Sequence, residues 1–166
     1  MKNVKKILIV DDDIDILSVI KTILENEGHT VVMAKDKNEA LLKAKSEKPD
    51  LAICDVMMTT EYEGFELAEA LKSSDEFKNI PVLMQTSIEV LSSNTDDTKN
   101  FARQYFERYD KERPDVLLVE NPNTQKASIE YKTADGIMKW IPVDGFIRKP
   151  VKAKTLIESV ERVLVK

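Results

Sequence analysis

Four carboxylates follow directly on the first apolar run of the chain. Residues 7–10 read ILIV, and Asp11, Asp12, Asp13 and Asp15 come immediately after them. Neighbouring carboxylates repel one another and resist removal from water, so a cluster at the end of a buried element requires a cation or solvent beside it. Taken alone, the stretch favours a solvated strand end that leads into a helix N-terminus, where Asp is a common capping residue.

Three later apolar runs also end in side chains that could act on a phosphoryl group. Asp55 follows the letters LAIC, Thr86 follows PVLMQ and Lys149 follows GFIR. In an open parallel sheet, ligands bind at the carboxyl ends of the strands. Mg²⁺ prefers a few carboxylates with water and phosphate oxygens, and phosphoryl transfer depends on positioning and charge neutralisation. Together with Asp11 and Asp12, these residues predict a magnesium-dependent phosphoryl-transfer site.

Alternating strand and helix patterns are expected to bring these strand ends together. Lys6–Val10 is continuously apolar, which is typical of a strand buried on both faces of a parallel sheet. Four apolar residues then recur at helical spacing; they are Ile14, Leu17, Ile20 and Leu24. Gly28 comes after them, and glycine often follows the end of a helix. Five such strand and helix units predict an α/β fold with a doubly wound, five-stranded parallel sheet. The later strands are predicted at Thr30–Ala34, 51–54, 81–85 and 146–149, and the later helices after Asp36 and at 65–72 and 151–165.

The regular alternation stops after Ser87. A helix is predicted at 96–113, with Phe101, Tyr105 and Tyr109 on one face, and a short strand is predicted at 116–119. Residues 128–132 alternate weakly between apolar and polar types. We therefore expect one domain, residues 1–166, with an ordered insertion at 88–143 between its fourth and fifth strands. The insertion either enlarges the core or forms a surface that binds a partner or a second copy of the chain. A homodimer is therefore one of the expected possibilities.

Composition excludes several classes of function. The formal net charge of −5 and the pI near 5.1 argue against direct DNA binding. No apolar stretch approaches the roughly 18 residues of a membrane span, so we expect no membrane insertion and a cytoplasmic location. The single cysteine, Cys54, lies within an apolar run and is predicted to be a buried core thiol.

Four stretches together resemble the receiver domain of two-component response regulators, the CheY-like family; they are ILIVDDDIDI, LAICDVMM, PVLMQTS and GFIRKPV. The resemblance covers residues 4–87 and 144–166. It implies a flavodoxin-like fold in which Asp55 accepts a phosphoryl group from the phosphohistidine of a sensor histidine kinase or phosphotransfer protein. Such a chain is a phosphoacceptor that promotes its own phosphorylation and then slowly hydrolyses its own acyl phosphate. It is not an enzyme that turns over a substrate.

The resemblance also implies roles for the residues around Asp55. Asp12 would bind Mg²⁺ directly and Asp11 mainly through water, and the backbone carbonyl of Met57 would complete the protein ligands together with Asp55. Asp13 follows the acidic pair and is expected to cap the first helix.

The remaining implied roles concern the response to the phosphoryl group. Lys149 would neutralise phosphoryl oxygens, and Thr86 would donate a hydrogen bond to them. Phe146 occupies the aromatic switch position, and the bond between Lys149 and Pro150 is cis in the family.

Two departures from the family pattern stand out. Thr59 replaces the proline that commonly lies four residues after the phosphoacceptor, and Gly64 lies nine residues after it rather than eight. Thr86 and Lys149 are 63 positions apart (149 − 86), far more than is usual. The family's fourth helix is therefore expected to be displaced, remodelled or replaced by the insertion.

Two alternatives belong to other functional classes. A pseudo-receiver would use the fold only for phosphorylation-independent binding. A phosphatase of the haloacid-dehalogenase type would need D-x-D-x-[TV] after its first strand, whereas Asp11, Asp13 and Asp15 leave the last position wrong. Because the chain ends after the last predicted helix, we expect a stand-alone receiver without an output domain, which signals by binding an unknown downstream protein.

Overall fold

The main sheet has five parallel strands. The structure is a computed structural model that describes residues 4–58, 63–92, 116–133 and 135–165. The strands are β1 (Lys6–Val10), β2 (Thr30–Ala34), β3 (Leu51–Asp55), β4 (Val82–Thr86) and β9 (Gly145–Arg148). The strand order is β2-β1-β3-β4-β9, and every neighbouring pair is parallel. The predicted doubly wound parallel sheet is confirmed.

Helices cover both faces of the main sheet. They are α1 (Ile14–Asn26), α2 (Lys37–Glu47), α3 (Glu63–Ser73) and α4 (Ala153–Leu164). The buried residues of α1 and α4 share one apolar cluster, and those of α2 and α3 share another on the opposite face. In the described part of the chain, none of the helices has the length and apolar character that crossing a membrane requires.

Both ends of α1 are stabilised as the sequence predicts. The Asp13 carboxylate accepts hydrogen bonds from the amides of Asp15 and Ile16, so the predicted cap is confirmed. At the other end Gly28 adopts a φ of 91°, and the amide of the next residue bonds back to the Leu24 carbonyl. This is the Schellman arrangement, which favours glycine at that position.

The first of the four apolar residues that recur along α1 is exposed. Ile14 is 58% exposed, whereas Leu17, Ile20 and Leu24 are buried. Ile14 is the first residue of α1 and follows the exposed Asp12 and Asp13 in the chain. The predicted burial of Cys54 is confirmed, and burial raises the pKa of its thiol to about 12.

Residues between β4 and β9 form a second, four-stranded sheet, called here the inserted sheet. Its strands are β5 (Val90–Ser92), β6 (Val116–Glu120), β7 (Ala127–Lys132) and β8 (Met138–Val143), in that order. β5 and β6 are parallel, and the other pairs are antiparallel. The strand predicted at 116–119 is confirmed, and the weakly alternating residues 128–132 lie in β7. β5 and β8 were not predicted. The helix predicted at 96–113 and its stripe of Phe101, Tyr105 and Tyr109 lie outside the described residues.

The inserted sheet packs on the face of the main sheet that carries α3. Tyr131 stacks on Phe65 of α3 with ring centroids 5.0 Å apart, and its hydroxyl donates to Glu69 at 3.1 Å. Lys139 forms an ion pair with the same carboxylate at 2.8 Å. Buried apolar residues of the inserted sheet, including Leu118 and Ile129, belong to the same cluster as the core of α2 and α3. The inserted sheet therefore enlarges the core of the parent domain.

Asp144 fixes the point at which the chain returns to the main sheet. Its carboxylate accepts the Val82 amide at 2.8 Å and the Lys72 ammonium at 2.6 Å. Its own amide donates to the Val82 carbonyl at 2.9 Å. The end of the inserted sheet is thus held against the first residue of β4 and the last turn of α3.

Gly64 allows α3 to approach the end of β3. A Cβ at this position would overlap the backbone carbonyl oxygens of Asp55 and Val56. That backbone has little freedom to withdraw, because the Val56 amide donates to the Gln85 carbonyl of β4 at 2.9 Å. Glycine is therefore required by close backbone contact.

Replacing Gly64 with alanine should destabilise the fold. We expect Gly64→Ala to lower the free energy of unfolding by about 1–3 kcal/mol, because the new methyl group forces α3 away from β3. Urea denaturation measures the change, and Ser73→Ala, at the exposed end of the same helix, is the control. Equal stability of the two variants would show that the close approach is not required.

Candidate functional site

The parallel register brings four strand ends to one edge of the main sheet. Asp55 is the last residue of β3 and Thr86 the last residue of β4, while Asp11 follows β1 and Lys149 follows β9. Cys54 lies between Val10 and Met84 in the ladder, so these ends are level with one another. The sheet therefore gathers the predicted residues at its carboxyl edge.

Three carboxylates and one ammonium form the centre of this edge. Oxygens of Asp11, Asp12 and Asp55 all lie within 4.8 Å of one another. Lys149 Nζ lies 2.9 Å from Asp55 Oδ1 and 3.8 Å from Asp11 Oδ2. Asp11 is 0% and Asp55 4% exposed, whereas Asp12 is open to solvent. One ammonium thus faces three carboxylates, two of which are buried.

The buried carboxylates bind protons more tightly than they would in water. Burial raises the pKa of Asp11 from its ordinary 3.8 to about 6; the Asp13 amide opposes this shift and the Asp55 carboxylate adds to it. Burial also raises the pKa of Asp55, although hydrogen bonds from Lys149 and from the Met57 amide oppose the rise. Both shifts arise mainly from burial, and the neighbouring carboxylates add to them.

This donor set fits a hard divalent cation. Every candidate ligand atom is an oxygen, as Mg²⁺ prefers. Asp11 Oδ1 accepts the Asp13 amide at 2.9 Å, but the buried Oδ2 has no hydrogen-bond partner among the described residues. A cation placed between Asp11, Asp12 and Asp55 would satisfy that oxygen and relieve the repulsion. Met57, whose carbonyl the resemblance assigns to the metal, lies two residues after the end of β3, with its side chain 46% exposed.

The predicted switch residues lie beside this cluster and face the inserted sheet. Thr86 is buried, and its hydroxyl oxygen accepts the Ile88 amide at 2.8 Å. Phe146 is buried in the cluster that includes Leu118 of β6. The peptide between Lys149 and Pro150 is cis, as the resemblance implies.

Two features of the edge were missed in the sequence. Gln85 pairs in register with Asp55 and is 0% exposed, yet neither polar atom of its side chain has a hydrogen-bond partner in the described part of the chain. The sequence feature that could have indicated it is that Gln85 is the one polar residue in the run PVLMQ. Arg148 Nη2 contacts Glu120 Oε1 of the inserted sheet at 3.2 Å, and no sequence pattern links residues so far apart.

Comparison with known proteins identifies the family. The profile described as the response regulator receiver domain matches residues 7–105. The alkaline phosphatase synthesis transcriptional regulatory protein PhoP of Bacillus subtilis is 41% identical over 83 residues, which are 50% of this chain and 33% of that protein. Chemotaxis response regulator CheY4 of Vibrio cholerae has a TM-score of 0.61 at 25% identity, with 98% of this chain and 100% of that chain covered.

A further solved structure, the signal receiver domain of a signal transduction histidine kinase from Syntrophus aciditrophicus, has a TM-score of 0.62 at 25% identity, with 97% of this chain and 90% of that chain covered. The chain spans about a third of the length of curated relatives such as PhoP. The profile nevertheless matches more than half of the 166 residues, and the strand order of the main sheet is the flavodoxin-like order of these neighbours. The chain belongs to the response regulator receiver domain family.

Proposed function

We propose that this receiver takes a phosphoryl group onto Asp55 from a histidine kinase or phosphotransfer protein, with Mg²⁺ bound beside it. The observation that carries the proposal is the 2.9 Å contact between Lys149 and Asp55 within a cluster of three carboxylates. The cluster holds a nucleophile, a cation of the chain and oxygen ligands for a metal. Phosphoryl transfer needs this combination, because positioning and charge neutralisation supply most of its catalysis.

In the proposed reaction a carboxylate oxygen of Asp55 attacks the phosphorus atom of a phosphohistidine. The bond between phosphorus and nitrogen breaks, its electron pair stays on the imidazole, and Asp55 becomes an acyl phosphate. Asp11, Asp12 and the Met57 carbonyl would hold Mg²⁺, which when bound neutralises phosphoryl oxygens. Lys149 already contacts Asp55 and is positioned to neutralise another phosphoryl oxygen.

Thr86 and Phe146 would report the acyl phosphate to the rest of the domain. Thr86 would turn its hydroxyl from Ile88 towards the phosphoryl group, and Phe146 would follow within the core that it shares with the inserted sheet. We propose that the output is phosphorylation-dependent binding of a downstream protein or of a second copy of this receiver. The proposed phosphodonors make this a cytoplasmic reaction.

The two alternative functions fit the site less well. A pseudo-receiver has no need of a buried aspartate paired with a lysine, whereas Asp55 is only 4% exposed and contacts Lys149. A phosphatase of the haloacid-dehalogenase type needs its nucleophile after the first strand, but Lys149 lies 0.9 Å closer to Asp55 than to Asp11 (3.8 − 2.9). Both comparisons favour Asp55 as the phosphoacceptor.

Replacing Asp55 with asparagine should abolish phosphorylation. Asp55→Asn keeps the shape of the side chain and removes the nucleophile, so incubation with acetyl phosphate and Mg²⁺ should give no phosphoryl mass gain by intact mass spectrometry. Asp75→Asn, which changes a fully exposed carboxylate, should be phosphorylated like the wild type. If Asp55→Asn gained the phosphoryl mass at the wild-type rate, the assignment would be wrong.

The acyl phosphate should be long-lived for a receiver. The positions two residues beyond Asp55 and Thr86 are Met57 and Ile88, and neither side chain can hydrogen-bond an attacking water. We expect the phosphorylated mass to persist for minutes after acetyl phosphate is removed, and Met57→Asn to shorten that lifetime. Loss of the phosphoryl group within seconds, without a phosphatase, would contradict this expectation.

The acidic site should destabilise the metal-free fold as pH rises. Folded Asp11 has a pKa of about 6 and the unfolded chain titrates near 3.8, so the folded state loses stability between pH 4 and 6 and the loss persists above pH 6. With EDTA present, Asp11→Asn should be more stable than wild type at pH 7 by on the order of 1–3 kcal/mol. The advantage should disappear near pH 4.

Urea denaturation between pH 4 and 8 measures this difference, and Asp75→Asn serves as the surface control. Saturating Mg²⁺ at pH 7 should stabilise the wild type more than Asp11→Asn, because binding to the folded state adds stability. A constant difference between wild type and Asp11→Asn across this pH range would refute the raised pKa of Asp11 in the folded state.

A further inference from the structure

Gln85 is a buried polar side chain that makes no hydrogen bond in the described part of the chain. It precedes Thr86 in β4 and is 0% exposed, and neither its amide nitrogen nor its carbonyl oxygen has a partner among these residues. An unpartnered buried amide costs stability, and an apolar side chain of the same shape would avoid that cost. The stability of this state therefore does not account for a glutamine at this position.

Gln85 lies next to the acceptor of the proposed phosphoryl transfer. The ladder pairs Gln85 with Asp55 of β3 on one side and with Ile147 of β9 on the other. Residues that pair in this way point to the same face of a sheet. Leu83 and Ile147 both belong to the apolar cluster of α1 and α4. Gln85 and Asp55 therefore face that side together at the carboxyl edge.

The ion pair between Lys149 and Asp55 spans the end of β4. Lys149 follows β9 and Asp55 ends β3, and β4 lies between these two strands. Lys149 comes two residues after Ile147, and its amide donates to the Thr86 carbonyl at 2.8 Å, so the strand pairing continues to this residue. Its side chain therefore leaves the sheet on the face that carries Gln85 and reaches Asp55 at 2.9 Å across the end of β4.

The Lys149 ammonium has donors to spare at this point. An ammonium carries three N–H donors, and its one hydrogen bond among the described residues goes to Asp55. Asp11 Oδ2 is 3.8 Å away, too far for a hydrogen bond. When Lys149 turns from Asp55 to a phosphoryl oxygen, its other donors need acceptors. The carbonyl oxygen of Gln85 is an unused acceptor on the same face.

We propose that Gln85 is a positioning residue for phosphoryl transfer: its carbonyl oxygen accepts a hydrogen bond from the Lys149 ammonium as the phosphoryl group arrives at Asp55. The inference rests on the proposed function of Asp55. The bond would hold the ammonium against a phosphoryl oxygen, and it would give the buried carbonyl of Gln85 the partner that it lacks before phosphorylation. Gln85 acts on the reaction only through Lys149.

Replacing Gln85 with methionine tests the proposal on the full chain. Gln85→Met keeps the length of the side chain and removes its acceptor. Phosphorylation by acetyl phosphate with Mg²⁺, followed by intact mass spectrometry, should be about tenfold slower, the effect of losing one hydrogen bond to a charged group. Leu83→Met is the matched control, because it changes an apolar residue two positions earlier on the same face, and should be phosphorylated at the wild-type rate.

Two further measurements separate positioning from a general effect on the fold. The urea midpoint of Gln85→Met should equal that of the wild type or exceed it, because the variant no longer buries an unpartnered amide. A lower midpoint would mean that the amide already has a partner before phosphorylation, which contradicts the proposal.

The second measurement uses beryllofluoride with Mg²⁺ as the phosphoryl mimic. The fluorine NMR resonance of bound beryllofluoride reports the position of the neighbouring ammonium. That resonance should shift in Gln85→Met, because the ammonium is no longer held, and should stay at its wild-type position in Leu83→Met.

Failure of this inference can be distinguished from failure of the proposed function. If Gln85→Met is phosphorylated at the wild-type rate, or if its bound fluorine resonance is that of the wild type, Gln85 is structural only and the assignment of Asp55 stands. If the wild type gains no phosphoryl mass and binds no beryllofluoride, the assignment of Asp55 is wrong and the role of Gln85 falls with it.

Discussion

An excess of negative charge at the carboxyl edge of the main sheet is the constraint on which the rest of the structure depends. Asp11, Asp12 and Asp55 lie together, and Lys149 is the single ammonium that contacts them among the described residues. A fourth carboxylate, Asp13, is turned away to cap α1, where the helix dipole favours it. The parallel order of β1, β3 and β9 is what allows residues so distant in sequence to share this charge.

The last residues of β4 show that the two faces of the main sheet have different surroundings. Leu83 belongs to the apolar cluster of α1 and α4, and Gln85, two residues on, faces the same side. Met84 belongs to the cluster of the inserted sheet, and Thr86 faces that side. The acidic edge therefore touches a mostly apolar core on one face and the inserted sheet on the other. Towards the inserted sheet, the edge forms a hydrogen bond through Thr86, whose hydroxyl oxygen accepts the Ile88 amide.

Much of the main sheet could be predicted from the sequence, because its strands are continuous apolar runs and two of its helices begin with local capping signals. Asp13 and Asp36 cap α1 and α2 through amides two or three residues away, and such contacts are visible in sequence. The strand ends that hold Asp55 and Thr86 could be placed because each residue directly follows an apolar run. Whether these residues act as proposed is a question of chemistry that their positions alone do not answer.

The remaining elements depend on contacts that sequence patterns do not carry. β5 has only three residues, and β8 contains Lys139 and Pro142, which break the apolar alternation. Pro142 is tolerated because β8 is an edge strand of the inserted sheet. Lys139 is held by the carboxylate of Glu69, 70 positions away. Such long-range contacts stabilise strands that local propensity would not form.

The return point at Asp144 has a consequence for how the chain folds. Parallel strands need a crossover connection, usually one helix, and here the crossover from β4 to β9 contains a whole sheet. Leu83 pairs with Gly145, 62 positions further along the chain (145 − 83). Loop-closure entropy rises only slowly with this length, but non-local pairing slows folding strongly. We therefore expect Lys149 to join the carboxylates late in folding, after β1 and β3 have brought the carboxylates together.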